Sequence, residues 1–126
     1  MLNTRGGIEA DVTVARVAQD EFYIVTGTGF ATHDFNWIER NLPKWANCKL
    51  TDVTSGSSVL SLMGPEARSI LSRICPDDLT NAGFPFGTAR QISVANCPVL
   101  ALRVTYVGEL GWELHMPTDV AVTVYR

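Results

Sequence analysis

Cysteine is scarce in this chain, and its three residues, Cys48, Cys75 and Cys97, are widely spaced with no CxxC pair. That spacing excludes a disulfide framework or a cysteine-built zinc site and points to reduced thiols in a reducing compartment. The two histidines, His33 and His115, stand too far apart in sequence to propose a metal centre. No apolar run approaches membrane-spanning length, and Met1–Gly7 has no apolar stretch of the secretory kind. A basic stripe is also missing. With a net charge of −3 and both signs mixed along the chain, neither nucleic acid nor an anionic membrane is indicated. No GxGxxG fingerprint occurs, so no flavin or nicotinamide site is legible. The 126 residues are 46% hydrophobic and 18% charged, the balance of one globular domain or a piece of one.

The stretch that organises the remainder is Tyr106–Leu114, with Gly108 and Gly111 breaking two strand-like runs. Val99–Thr105 precedes it; Trp112–Met116 follows, alternating apolar with polar. Glycines at that point allow a hairpin-type connection or a close approach of bare backbone. Glu109 and Glu113 lie in or just after the loop, with Tyr106 and Trp112 beside them. Aromatic faces and a carboxylate around bare backbone suit a flat, nitrogen-rich ligand. An ordinary surface hairpin with solvated glutamates is the plain alternative. Trp112 reads as packing and Glu109 as a loop residue.

In chain order, Ile8–Ala15 alternates as a strand, with Ile8, Ala10, Val12 and Val14 on one face. Asp11 lies on the opposite face, as do Glu9 and Thr13, both expected to meet solvent. A solvated aspartate is the default there, although aspartate is depleted in strands. A turn at Ala18–Glu21 leads to the strand Phe22–Thr26. A helix then runs over Ala31–Asn41, with Ala31, Phe35, Ile38 and Leu42 as its stripe and Pro43 closing it. The same order follows again: strand Cys48–Thr54, turn Ser55–Ser58, strand Val59–Met63, and a helix from Gly64-Pro65 whose stripe is Ala67, Ile70, Leu71 and Ile74. Pro65 removes one N–H from that helix start, which argues against an anion site. Trp37 and Trp45 read as core or subunit-contact aromatics. Beyond a turn-rich connector come Arg90–Val94, the turn Ala95–Pro98, the central strand pair, and a helix beginning near Thr118 as N-cap. The fold class expected is α+β: two strand-strand-helix units with helices on antiparallel sheet, then further antiparallel strands. The expected division places one subdomain at 1–75 and the remainder at 76–126.

Three separated motifs carry a resemblance: Met1–Arg16 with its Gly6-Gly7-Ile8-Glu9-Ala10-Asp11, Leu62–Arg68, and Tyr106–Leu114. Together they resemble the aminomethyltransferase (glycine-cleavage T-protein) superfamily, most of all the folate-binding half of dimethylglycine and sarcosine dehydrogenases. The resemblance implies Asp11 as the catalytic carboxylate, with Glu113 holding the pterin ring of tetrahydrofolate and Tyr106 as an aromatic of the same pocket. The reaction implied is transfer of a one-carbon unit from an amine-derived iminium to tetrahydrofolate, giving 5,10-methylenetetrahydrofolate. A carboxylate would stabilise the cation and handle a proton, and one carboxylate can accept both donors of a pterin edge. The implied partners are folate and a small amine, with FAD confined to an upstream domain of the parent. A non-catalytic regulatory or scaffold member, like the pyruvate dehydrogenase phosphatase regulatory subunit, is the alternative; retention of Asp11 argues against it. The family's further folate-binding arginine would lie beyond Arg126. The chain is therefore expected to be a partial domain, inactive or weakly folate-binding alone, and prone to homodimerise through surfaces exposed by truncation. The location expected is cytoplasmic, or the mitochondrial matrix for a eukaryotic parent.

Overall fold

The computed structural model describes all 126 residues and divides into two compact units, Met1–Asp52 and Val53–Arg126. In the first unit, β1 (Thr13–Arg16) pairs antiparallel with β2 (Phe22–Val25), Thr13 opposite Val25. The turn closes through Val17 N–H to Glu21 O at 3.0 Å, and the Arg16 guanidinium caps it by donating to the carbonyls of Ala18 and Gln19. A single 3-10 turn, Thr28–Phe30, leads into α1 (Ala31–Asn41), whose bounds are those expected from its periodicity and from Pro43.

The first strand is shorter than its alternation suggests, because its leading half is paired elsewhere. Ile8 bridges to Leu2, Glu9 N–H donates to Met1 O at 3.0 Å, and the Met1 amino group donates to Ala10 O at 2.6 Å. A four-residue β2 leaves nothing to extend β1 further. The expected apolar face is correspondingly broken. Ala10 is buried, while Ile8 and Val14 are 79% and 55% exposed. Glu9 and Thr13, expected in solvent, are half-buried.

The second unit is a four-stranded antiparallel sheet in the order β3-β6-β5-β4. Its strands are β3 (Ser57–Met63), β4 (Ala89–Val94), β5 (Cys97–Leu102) and β6 (Gly111–Pro117). Two short helices, α2 (Ala67–Leu71) and α3 (Ala121–Tyr125), join it. The core lies between the sheet and these helices: Trp112, Leu114, Met116, Val99, Ala101, Ile92 and Val94 from the strands meet Ala67, Leu71, Phe84 and Val124. The antiparallel α+β class stands, and the first strand-strand-helix unit is present.

The second such unit lacks its leading strand. Residues 48–53 have no ladder partner and only Leu50 is partly buried, so the segment offers no consistent apolar face. The strand that follows pairs instead with β6, Leu60 opposite Leu114, far along the chain. That pairing ties 57–63 to 111–117, and the two compact units divide at 52/53, whereas the sequence reading divides the chain at 75/76. In α2 and the turn after it, Ala67, Leu71 and Cys75 are buried, while Ile70 and Ile74 are 46% and 43% exposed. Thr118 opens a 3-10 turn and Pro117 takes the cap position. Trp45 is 87% exposed rather than core. No helix is long and apolar enough to cross a membrane.

Candidate functional site

β6 has two faces because side chains alternate along a strand. Trp112, Leu114 and Met116 point into the core; Glu113 and His115 share the other face. Trp112 anchors the strand. It is fully buried, meets Phe84 edge-on with ring centroids 6.2 Å apart, and has the Arg68 and Arg103 guanidiniums 5.9 Å and 5.6 Å from its ring centroid. Such aromatic and cation–π contacts add to the burial itself.

Arg103, which sequence reading did not single out, is buried at the start of the loop before β6. It donates to Phe84 O and, at 2.7 Å, to Asn81 Oδ1, which Arg68 also reaches at 2.6 Å. Burial, with Arg68 close by, holds the Arg103 pKa below the ordinary arginine value. Carbonyl acceptors therefore solvate this charge in place of water. The loop is pinned at both ends: Arg103 exchanges backbone bonds with Gly87 and Thr88, and Gly64 N–H donates to Leu110 O at 2.7 Å.

Between those pins the chain turns through Gly108 at φ 77°, a left-handed conformation that favours glycine. Gly111 serves a different need. A Cβ there would lie 2.8 Å from Leu62 O and 2.7 Å from Met63 Cγ, so only glycine lets β3 and β6 approach so closely. Both glycines of the motif thus have structural causes, and together they deliver Glu113 two residues into β6.

The Glu113 side chain is 22% exposed, and its Oε2 lies 3.4 Å from His115 Nε2. Burial lowers the His115 pKa from its ordinary 6.5, with Glu113 pulling in the opposite direction, so His115 is neutral at pH 7. Cross-strand neighbours on this face are uncharged: Ser61 and Leu102 beside Glu113, Val59 and Leu100 beside His115. Tyr106 stands 95% exposed on the loop, with too little surface covered to pack against Glu113. Glu109 and Gly108 are exposed beside it.

Asp11 lies in the first unit, two residues before β1, with an exposed carboxylate that forms no hydrogen bond or ion pair within the chain. The carboxylate that this unit buries is Asp34. Asp34 Oδ2 accepts from Thr26 Oγ1, and Oδ1 lies 2.8 Å from His33 Nδ1. His33 Nε2 is 3.8 Å from Glu9 Oε2, and Asn3 donates to Glu9 Oε1 at 2.7 Å. The His33 hydrogen bond, then that of Thr26, hold the Asp34 pKa below the usual 3.8. A signal for Asp34 was present: it sits three residues after Ala31 and four before Ile38, on the apolar stripe of α1.

The GCVT N-terminal domain family matches residues 1–126, the full chain. The chain belongs to that family. Human mitochondrial dimethylglycine dehydrogenase is 36% identical over 99% of this chain and 14% of its own length. Human mitochondrial sarcosine dehydrogenase is 38% identical over 100% of this chain and 15% of its own. The chain thus spans a small part of the curated relatives it matches. Among solved structures, heterotetrameric sarcosine oxidase from Corynebacterium sp. U-96, in complex with pyrrole 2-carboxylate, superposes with a TM-score of 0.72 at 25% identity. That match covers 93% of this chain and 56% of the other, and agrees with the mixed helix and antiparallel-sheet architecture of this family member.

Proposed function

We propose that this chain is part of a tetrahydrofolate-binding domain of the aminomethyltransferase type, with Glu113 as the group that holds the pterin. The observation that carries this reading is the setting of Glu113: a partly exposed carboxylate rooted on a strand whose alternate residues are core, facing a neutral histidine and no arginine or lysine. A carboxylate in that setting keeps acceptor capacity for an incoming pair of N–H donors. The two acceptor oxygens of Glu113 match the paired N–H donors of a pterin edge in number and polarity. Tyr106, exposed on the adjoining loop, supplies an aromatic face that a ligand could cover. Held there, tetrahydrofolate would supply the acceptor nitrogens for a one-carbon unit from an amine-derived iminium, the chemistry that gives 5,10-methylenetetrahydrofolate. Asp11, exposed and without an internal partner, has the charge to stabilise a cationic amine and to take a proton.

Calorimetric titration of the 126-residue chain with tetrahydrofolate tests the reading. Glu113→Gln leaves one neutral acceptor oxygen and sets an amide N–H against the second pterin donor, and should weaken binding by about tenfold or more. Equal affinity in the wild-type chain and Glu113→Gln overturns the assignment and leaves a regulatory role for this fold as the better account.

A further inference from the structure

We infer that His115 is a positioning residue for Glu113, holding its carboxylate in the one plane that presents two acceptor oxygens to a flat donor edge; this rests on the folate reading above. Glutamate alone is a poor template, because its side-chain torsions let the carboxylate plane turn freely. His115 removes that freedom. It lies two residues further along the same strand, so period-two alternation sets both side chains on one face. Its side chain is 3% exposed, against 22% for Glu113, so the imidazole is the fixed member of the pair and the carboxylate the movable one. The 3.4 Å from His115 Nε2 to Glu113 Oε2 is longer than a closed N–H···O bond, so the pairing requires the carboxylate to turn toward the ring.

A neutral imidazole has one N–H, and a lone pair aimed at a carboxylate would repel it. The pairing with Glu113 thus requires the proton on Nε2. Glu113 is a charged group facing the ring, and the cross-strand neighbours of His115 are Val59 and Leu100. Once that contact closes, Oε1 and the outer lone pair of Oε2 are left for a ligand.

The test combines NMR titration of the 126-residue chain with tetrahydrofolate binding, in wild type, His115→Phe, His115→Gln and Glu113→Gln. Nitrogen shifts of His115 should report the Nε2–H tautomer. Affinity for tetrahydrofolate should fall about tenfold in His115→Phe and recover in His115→Gln. Wild-type affinity in His115→Phe, alongside lost affinity in Glu113→Gln, overturns the inference while the folate reading survives. No binding by the wild-type chain overturns the folate reading and the inference with it. Should His115→Phe fail to fold, the His115 titration decides: its displacement to lower pH in Glu113→Gln supports the pairing, and an unmoved titration overturns it.

Discussion

The two units of this chain are held together in opposite ways. In Met1–Asp52 the buried residues are Ala10 and Asp34, and large apolar side chains such as Leu2, Ile8, Phe22 and Phe30 are more than half exposed. Its internal order comes from hydrogen bonds: Asn3 to Glu9, His33 and Thr26 to Asp34, and Met1 to Ala10. In Val53–Arg126 a continuous apolar core runs from Ala67 to Val124, and charged groups such as Arg103 are folded into it through aromatic and carbonyl contacts. Apolar burial contributes roughly 25 cal/mol per Å² and is indifferent to pH, whereas a network centred on a carboxylate exists only while that carboxylate is ionised. In the second unit a pH response comes from the buried His115 rather than from the apolar core around it.

Truncating the centre of the apolar unit should give the largest effect. Trp112→Ala removes the fully buried ring that Phe84, Arg68 and Arg103 surround, and should cost about 3–5 kcal/mol. Urea denaturation measures it directly. Trp37 and Trp45, both in the first unit, remain as fluorescent reporters of that unit in the variant. If their transition keeps its midpoint while the circular dichroism of the sheet is lost, the units are energetically distinct. A single transition shifted by the full amount would dissolve the comparison.

What the sequence made legible follows the same division. Local patterns carried α1, β2 and β4, together with the strand pair around the glycine motif, because each is fixed by periodicity plus a nearby breaker such as Pro43 or Gly108. Pairing between distant segments was not legible. The partner of β3 is β6, and no local pattern announces that choice or the absence of a strand at 48–53. Polar residues in buried positions were the other gap. Asp34 sits on an apolar stripe and Arg103 within a strand-like run; a charge there contradicts the pattern until its partners, Thr26, His33, Asn81 and Phe84 O, are known. For the candidate site, the alternation along β6 gave the shared face of Glu113 and His115, but not that His115 is buried against it.

Acid titration should separate the units next. Asp34 has a folded-state pKa below 3.8, so its contribution is present above that value and is lost as pH falls through the depressed one. His115 in the second unit is also lowered, from 6.5, so its neutral form favours folding above that pH, and the advantage drains as pH falls through the folded value. The apolar unit is thus expected to weaken first on acidification, starting near pH 6.5, and the polar unit only below about pH 4. Asp34→Ala should cost about 1–3 kcal/mol at pH 7 by stranding Thr26 and His33, and should flatten the acid dependence of the first unit. Tryptophan fluorescence in the Trp112→Ala background reads the first unit alone; an unchanged acid midpoint in Asp34→Ala would show that the carboxylate does not hold it.

The smallest effect concerns backbone strain, which also differs between the units. Non-glycine residues with positive φ are confined to the second unit: Ala95 at 48° and Asn96 at 63°, the two central residues of the β4–β5 hairpin. A two-residue hairpin of this twist needs both in the left-handed region, which asparagine tolerates and alanine does not. Alanine survives there because its surroundings over-determine the turn. Val94 is fully buried, the ladder is continuous from Val94–Cys97 to Ala89–Leu102, and Ala95 N–H donates to Ile74 O at 2.8 Å. Ala95→Gly keeps every one of those bonds and removes the Cβ, so it should stabilise the second unit by about 0.5–1 kcal/mol, read as a raised urea midpoint. A lowered midpoint would mean that the flexibility glycine adds to the unfolded chain outweighs the relief. The turn would then be no more strained than the loosely packed first unit, and tight packing would not be what tolerates it.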